Sequence, residues 1–399
     1  METRRPLGDR CRVLTMDGGP SPLLNIRLMR EIERRCPGFL ERTDMFAGTS
    51  DGALMTLFLA TRLTRKTANE SVMQIFDDAV RFSNGIVNAL DATWGGIARL
   101  VFGFAAMDRV EKLERLLTES YGGLYMNDLN RRAMVVCFDA FNWEPRYFRN
   151  FSPFCERRTT EDPRGPTAVS AALASSAFPL YLPLHFGPGQ RHYIDGGIVA
   201  NNPTMCALVS AGEHLRTEHH RTGSVRPWLH ELSILSIGAS ESHTERRATV
   251  RPPGESAKDH LKPPPLPGAP NATARELRES KARMQIEAWP QKDIDWGWYQ
   301  WLAKRPLLLI NTMLQAPSNA VVRQCNDLLG EQHHRFGPSM GEIGAGLGIM
   351  MAPSARVIEG LDKGAREIID GPSEDHERFE DTVRWIEENW MRDPPRQSV

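Results

Sequence analysis

The sequence predicts a parallel α/β core, on three observations. Strand, glycine turn and helix follow one another twice in the first part of the chain, at residues 12–35 and 43–62. The 399 residues are 41% hydrophobic, enough chain to bury a core of one large domain or two ordinary ones. No apolar run approaches the length of a transmembrane helix, so the apolar segments belong to a water-soluble fold.

Each element follows in order. Residues 12–16 (RVLTM) are a strand stopping at Asp17-Gly18-Gly19, a glycine loop. Leu24, Leu28 and Ile32 at spacing four predict a helix over 23–35. Residues 43–47 read as a second strand, Gly48 to Gly52 as a tight turn, and 53–62 as a buried helix. Residues 68–128 read as helical, interrupted at Trp94-Gly95-Gly96 before the apolar segment 97–107. Residues 132–139 are a strand and 144–149 its hairpin partner. A small-residue helix at 168–177 ends before Pro179, and strand 191–195 runs into Asp195-Gly196-Gly197. A helix follows Pro203, and 231–238 (ELSILSIG) is the last expected core strand. The stretch 250–270 is proline-rich, and beyond it the chain reads as helical, aromatic at 289–302 and amphipathic at 305–328 and 377–390. The expected organisation is therefore a core over 10–240, a proline-rich loop or linker over 241–271, and a mainly helical region over 272–399 packing on the core.

Composition excludes several classes. With 49 basic against 50 acidic side chains there is no basic surplus to bind nucleic acid. The polar first dozen residues lack a signal-peptide apolar core, and six cysteines without paired spacing read as reduced, mostly buried thiols. A cytoplasmic enzyme is the expectation.

Gly48-Thr49-Ser50-Asp51-Gly52 is a GxSxG sequence between strand and helix. That context holds a serine oxygen out at a sharp turn, with glycines where any Cβ would collide and a helix N-terminus behind. Ser50 is the candidate nucleophile; the bland alternative is an N-cap serine in a structural loop. Asp17-Gly18-Gly19 can present backbone N–H groups to an oxyanion or a phosphate, or be a simple turn; neither nucleotide-loop pattern is present. Asp195, at a strand end beside Gly196 and Gly197, is placed to touch a serine on a neighbouring turn as its base, or to cap the next helix as an Asx turn.

Together these motifs, in this order, resemble the patatin-like phospholipases. Ala174-Ser175-Ser176-Ala177-Phe178-Pro179, Asn201-Asn202-Pro203 and the strand ending Leu235-Ser236-Ile237-Gly238 add to the resemblance, which covers 12–240 and extends to the tail from Trp296 to about Pro338. It implies a three-layer α/β/α fold with a mostly parallel central sheet and a helical C-terminal extension, and a Ser–Asp dyad hydrolysing lipid acyl esters without metal or cofactor. Carried over, Ser50 is the nucleophile, Asp195 the base, Gly18 and Gly19 the oxyanion donors, and Asp17, Gly48, Gly52, Gly196 and Gly197 the supporting motif. The expected substrates are phospholipids, lysophospholipids or other acyl-ester lipids met at a membrane surface.

One departure is informative. The family loop usually reads DGGGxRG, whereas here Pro20 and Pro22 stand where the third glycine and the arginine are expected. Proline has no N–H, so one donor is missing, and the expectation is a weakened oxyanion site assisted by the N–H of Asp51.

The remaining features carry less. Eleven histidines invite a Ser–His–Asp triad, but His214, His219, His220, His230 and His333, all after Asp195, lie in no distinctive motif. His219-His220 and His333-His334 lack the partner spacing of a metal site. The segment 97–107 and Trp289, Trp296, Trp298 and Trp301 suit either a membrane boundary or internal packing. The rival readings are an acyltransferase or thioesterase using the same dyad, and a latent lipid-binding effector controlled by an activator.

Overall fold

The computed structural model describes residues 10–19, 22–90, 110–153, 164–179, 181–218, 226–238, 306–338 and 353–392. Pro20, Trp94, the segment 97–107, the proline-rich 250–270 and the tryptophans at 289–301 lie outside the described residues. Residues Met1–Ser240 and Ile310–Val399 form one compact unit, and Glu241–Leu309 a second.

Among the described residues, eight strands form one sheet. They are β1 (Cys11–Met16), β2 (Met45–Thr49), β3 (Arg132–Asp139), β4 (Glu144–Arg149), β5 (His185–Gly187), β6 (Arg191–Asp195), β7 (Leu232–Ile237) and β8 (His333–Phe336). Their order is β5-β6-β3-β2-β1-β7-β8, with β4 pairing β3 beside this path. The run β3-β2-β1-β7-β8 is parallel; β4, β5 and β6 join antiparallel. The mostly parallel α/β sheet is as the sequence predicts.

The strands alternate their apolar residues between two buried faces, which makes the fold three layers deep. Leu14, Met16, Phe46, Val135, Cys137, Leu235 and Ile237 face one core. Helices α1 (Pro22–Arg35), α2 (Phe39–Arg42), α3 (Asp51–Arg65), α4 (Val72–Ala89), α5 (Val110–Tyr121) and α6 (Ala168–Ser176) contribute to it. Cys11, Val13, Met45, Ala47, Met134, Val136 and Ile234 face the other core. There they meet α8 (Thr204–Glu218), which follows the short α7 (Gly197–Ala200), and the end of α9 (Pro306–Leu329). Helix α3 is buried on almost every side, from Gly52 to Thr61 and again at Leu63, as its mostly apolar sequence requires. Ser71 and Gln74 form a capping box that starts α4, and Thr167 caps α6.

The C-terminal region adds α10 (Ser354–Asp370) and α11 (Glu374–Asn389), but it is not only helical. Strand β7 is not the last core strand, because β8 pairs parallel with it in register Ile234↔His333 to Ile237↔Phe336. Four residues, HHRF, are too few to show a period in sequence. Beyond α11, Trp390 is buried, with its indole N–H donating to the Phe39 carbonyl (3.3 Å) and its own carbonyl accepting from Arg12 Nε (2.7 Å). The chain's late residues are thereby tied to β1.

Candidate active site

Strand β2 runs through Gly48 and Thr49, where the sequence suggested a turn, and α3 begins at Asp51. The whole reversal falls on Ser50, with φ 52° and ψ −124°, a conformation that costs a non-glycine residue on the order of 1–3 kcal/mol. Neighbours hold it there. The Ser50 N–H donates to Ser175 Oγ (2.9 Å), whose own hydroxyl donates to the Val136 carbonyl (2.6 Å). A Cβ on Gly48 would strike the Gly52 carbonyl, and one on Gly52 would strike the Met16 and Asp17 carbonyls. Both glycines are therefore required for the elbow to close against β1.

Sheet register explains how Asp195 reaches the serine. Residues 134–136 of β3 pair with β2 on one edge and β4 on the other, while residues 137–139 pair with β4 and β6. Strand β6 therefore occupies the edge of β3 that β2 vacates at the elbow. Thr49 pairs with Val136 and Asp195 with the next residue, Cys137, so the two strand ends meet head to head. The Ser50 hydroxyl donates to Asp195 Oδ2 at 2.6 Å, with no imidazole between them.

The Asp195 carboxylate is fully buried. Burial pushes its pKa up to about 7, against the opposing effects of the Ser50 hydroxyl and the Gly197 N–H, which donates to Oδ1 at 2.6 Å. Its backbone is pinned by Asp195 N–H to Ala177 O (3.0 Å) and Gly196 N–H to Ser175 O (3.1 Å). Half-buried Asp51 is also raised to about 7, first by desolvation and then by repulsion from Asp195. A carboxylate poised near neutrality and bonded to a serine hydroxyl is chemically equipped to take that proton.

The glycine loop differs from its expected role in one respect. Gly18, expected as an oxyanion donor, gives its N–H to the Asn201 carbonyl (2.9 Å). Gly19, at φ 139°, has a backbone that favours glycine. Asp17 anchors the loop through Arg335 of β8, whose guanidinium forks onto both carboxylate oxygens (2.8 and 2.5 Å). Arg335 also donates to Ser236 Oγ (2.8 Å), which continues into Thr204 (2.9 Å) and from there to Thr15 (2.7 Å). Both ion-pair side chains are buried, at 5% and 3% exposure. Sequence reasoning missed Arg335; the tail's resemblance pointed to its region, but nothing marked one arginine among many.

The described histidines have other partners. His214 contacts Arg132 and the Ser152 carbonyl, and buried His333 meets Asn326, its pKa lowered by burial to about 3. Among the described residues no three His, Cys, Asp or Glu side chains gather as a metal site requires, and no helix is long and apolar enough to cross a membrane. Cys11, Cys36, Cys137, Cys206 and Cys325 are free thiols.

Fold and site together define a three-layer α/β/α protein with a strained serine turn against a buried aspartate. Residues 26–208 match the patatin-like phospholipase family model. The matched segment contains Ser50 and Asp195, while the glycine loop precedes it. A Bacillus subtilis (strain 168) protein named as a sporulation hydrolase, CotR, is 27% identical over 274 residues, 65% of this chain and 72% of its own. A cGAMP-activated phospholipase of Escherichia coli (strain TW11681) is 29% identical over 248 residues, 57% of this chain and 62% of its own. Patatin-like protein 2 of Oryza sativa subsp. indica is 23% identical over 265 residues, 59% of this chain and 62% of its own. The solved structure of VipD from Legionella pneumophila aligns over 96% of this chain and 80% of its own at 11% identity and a TM-score of 0.31, a likeness from which nothing further follows. This similarity to the patatin-like phospholipases supports a lipid acyl hydrolase.

Two predictions follow from this geometry. Asp195 binds its proton more tightly folded than unfolded, so its contribution favours the fold below pH 4 and is lost as pH rises through about 7. Asp195→Asn removes that loss: its urea-unfolding free energy should exceed the parent's at pH 8 by up to about 4 kcal/mol, with the gap closing towards pH 4. A gap independent of pH would mean that the carboxylate is not held neutral by burial. Arg335→Met leaves the Asp17 carboxylate buried without its fork and should cost about 3–5 kcal/mol, part of which Asp17→Asn in the same chain restores. Equal stabilities of the single and double variants would show that the pair is not coupled.

Proposed function

We propose that the protein is a serine hydrolase of fatty-acyl esters, acting on phospholipids, lysophospholipids or related lipids through a Ser50–Asp195 dyad. The observation that carries this reading is the 2.6 Å hydrogen bond from the elbow serine to a buried carboxylate raised to about 7. Asp195 takes the hydroxyl proton as Ser50 attacks the ester carbonyl. The tetrahedral intermediate collapses to an acyl-enzyme as the alcohol leaves with that proton. Water, deprotonated by Asp195 in turn, attacks the acyl-enzyme and releases the fatty acid. The N–H groups of Gly19 and of Asp51, the first residue of α3, are the main-chain donors assigned to the oxyanion, helped by the positive end of that helix.

Contact with a lipid surface draws support from the rim. Phe141 and Trp143, at the β3–β4 turn, are each 77% exposed, and Phe186 and Leu184, at and before β5, are 60% and 52% exposed. The β3–β4 tip stands on the order of 10 Å beyond the level of the dyad, at the ~3.3 Å rise of each strand residue. Arg191 links the two hairpins, lying over the Phe141 ring (5.9 Å) and pairing with Asp139 (2.7 Å). Exposed aromatic rings beside arginines suit a headgroup boundary. The cGAMP-activated relative makes ligand activation of this chain the second reading, to be read by adding cGAMP to the same assay.

The test is covalent labelling by a fluorophosphonate with peptide mapping. Labelling should fall on Ser50, vanish in Ser50→Ala, and drop at least 100-fold in Asp195→Asn, with parent turnover declining as pH falls through about 7 because the base must be ionised. Labelling elsewhere, or a Ser50→Ala protein as active as the parent, sinks the assignment. A Phe141→Ser, Trp143→Ser double variant should bind phospholipid vesicles at least fivefold more weakly while hydrolysing a soluble ester as fast as the parent. Unchanged sedimentation with vesicles would remove the rim from the lipid contact.

A further inference from the structure

The carboxamide of Asn201 is placed beside both members of the dyad and has no hydrogen-bond partner among the described residues. Asn201 follows α7, and its backbone is fixed by two neighbours. Thr49 Oγ donates to the Ala200 carbonyl (2.7 Å), and Gly18 N–H donates to the Asn201 carbonyl (2.9 Å). The side chain is defined by what two glycines leave room for. A methyl group on Gly18 would lie 2.5 Å from Asn201 Oδ1 and 3.1 Å from Ser50 Cβ. One on Gly197 would lie 2.9 Å from Asp195 Oδ1 and 3.5 Å from Asn201 Oδ1. The carboxamide thus borders the methyl-sized space next to the nucleophile and the one next to the base.

Asn201 is only 6% exposed, and among the described residues its carboxamide has no hydrogen-bond partner. Its neighbour Asn202 accepts from Thr204 N–H through Oδ1 (2.9 Å), starting α8, while its Nδ2 is buried without a partner among the described residues. The polar atoms of Asn201 are not sealed from the surface as Asn202 Nδ2 is, and the spaces they border are those beside Ser50 and Asp195. The site is also short of donors. Gly18 N–H is committed to the Asn201 carbonyl, and Pro20 has no N–H to give.

We propose that Asn201 is a catalytic residue whose side-chain NH2 donates to the oxyanion of the tetrahedral intermediate, in place of the main-chain donors that Gly18 and Pro20 do not supply. The terminal torsion of asparagine is broad and two-fold, so either end of the carboxamide can be turned to that space without leaving its rotamer well. This inference rests on the Ser50–Asp195 reading.

The experiment compares the parent with Asn201→Ala and Asn201→Leu, the second matching the original side-chain volume without polar atoms. The backbone of Asn201 is helical (φ −59°, ψ −38°), so either residue fits, and circular dichroism with thermal unfolding identifies the folded variants. With a soluble p-nitrophenyl fatty-acyl ester, kcat should fall about 10²–10³-fold with KM within threefold of the parent. The pH midpoint should not move, because the dyad is intact. The rate of fluorophosphonate labelling should fall in parallel, since its phosphoryl oxygen occupies the oxyanion position. A folded variant with kcat within threefold of the parent, or one impaired through KM or a moved pH midpoint alone, overturns the proposal. If the Ala variant does not fold, the Leu variant decides it by the same criteria. A parent that neither turns over nor labels at Ser50 defeats the dyad reading itself, and the Asn201 role with it.

Discussion

The arrangement on which the site depends is the sharing of one edge of β3 by two strands running in opposite directions. Strand β2 pairs with it as far as Thr49, where the chain turns away into α3, and β6 takes the remaining residues with its last one, Asp195, against Cys137. Two strand ends that meet head to head bring their terminal side chains together without a loop to position either. The Ser50–Asp195 hydrogen bond at 2.6 Å follows from backbone pairing. Burial between two apolar layers then keeps water from the carboxylate and raises its pKa into the range useful for a base.

Stability is given up at the same place. Ser50 holds a strained backbone, and Asp195 is a carboxylate in an apolar setting with one serine and one N–H as partners. The surrounding structure over-determines both. Ser175 fixes the Ser50 N–H and the β3 backbone at once, and the Gly48 and Gly52 contacts close the elbow on β1. These restraints come from α6 and from β1 to β3, so the nucleophile is held from three directions.

The glycine loop is fixed from a greater sequence distance. Arg335, 318 residues away from Asp17, reaches across β7 to grip it, and the same guanidinium heads a buried hydroxyl chain through Ser236, Thr204 and Thr15. A buried ion pair is a weak source of net stability, but its fork geometry fixes orientation. The late strand β8 is therefore a part of the site's support, and the C-terminal region is more than a covering layer.

The sequence by itself determined the strand–elbow–helix unit, the strand ending in Asp195 and the parallel class of the core. Each rests on local signals: apolar runs that stop at glycines, a serine between them, and helical spacing within one segment. It also exposed the Pro20 departure, because a missing N–H is a property of the residue and not of its surroundings. Only the tertiary structure decided which N–H groups the loop retains. The Gly18 donor is consumed by Asn201, a partner 183 positions away whose approach depends on α7, four residues too short to show a period. Likewise β5, three residues long, and β8 carry no pattern of their own and exist because a sheet edge offers them partners. The pairing of Asp17 with Arg335 was invisible for the same physical reason: a charge contact between strands is fixed by register, and register belongs to the assembled sheet.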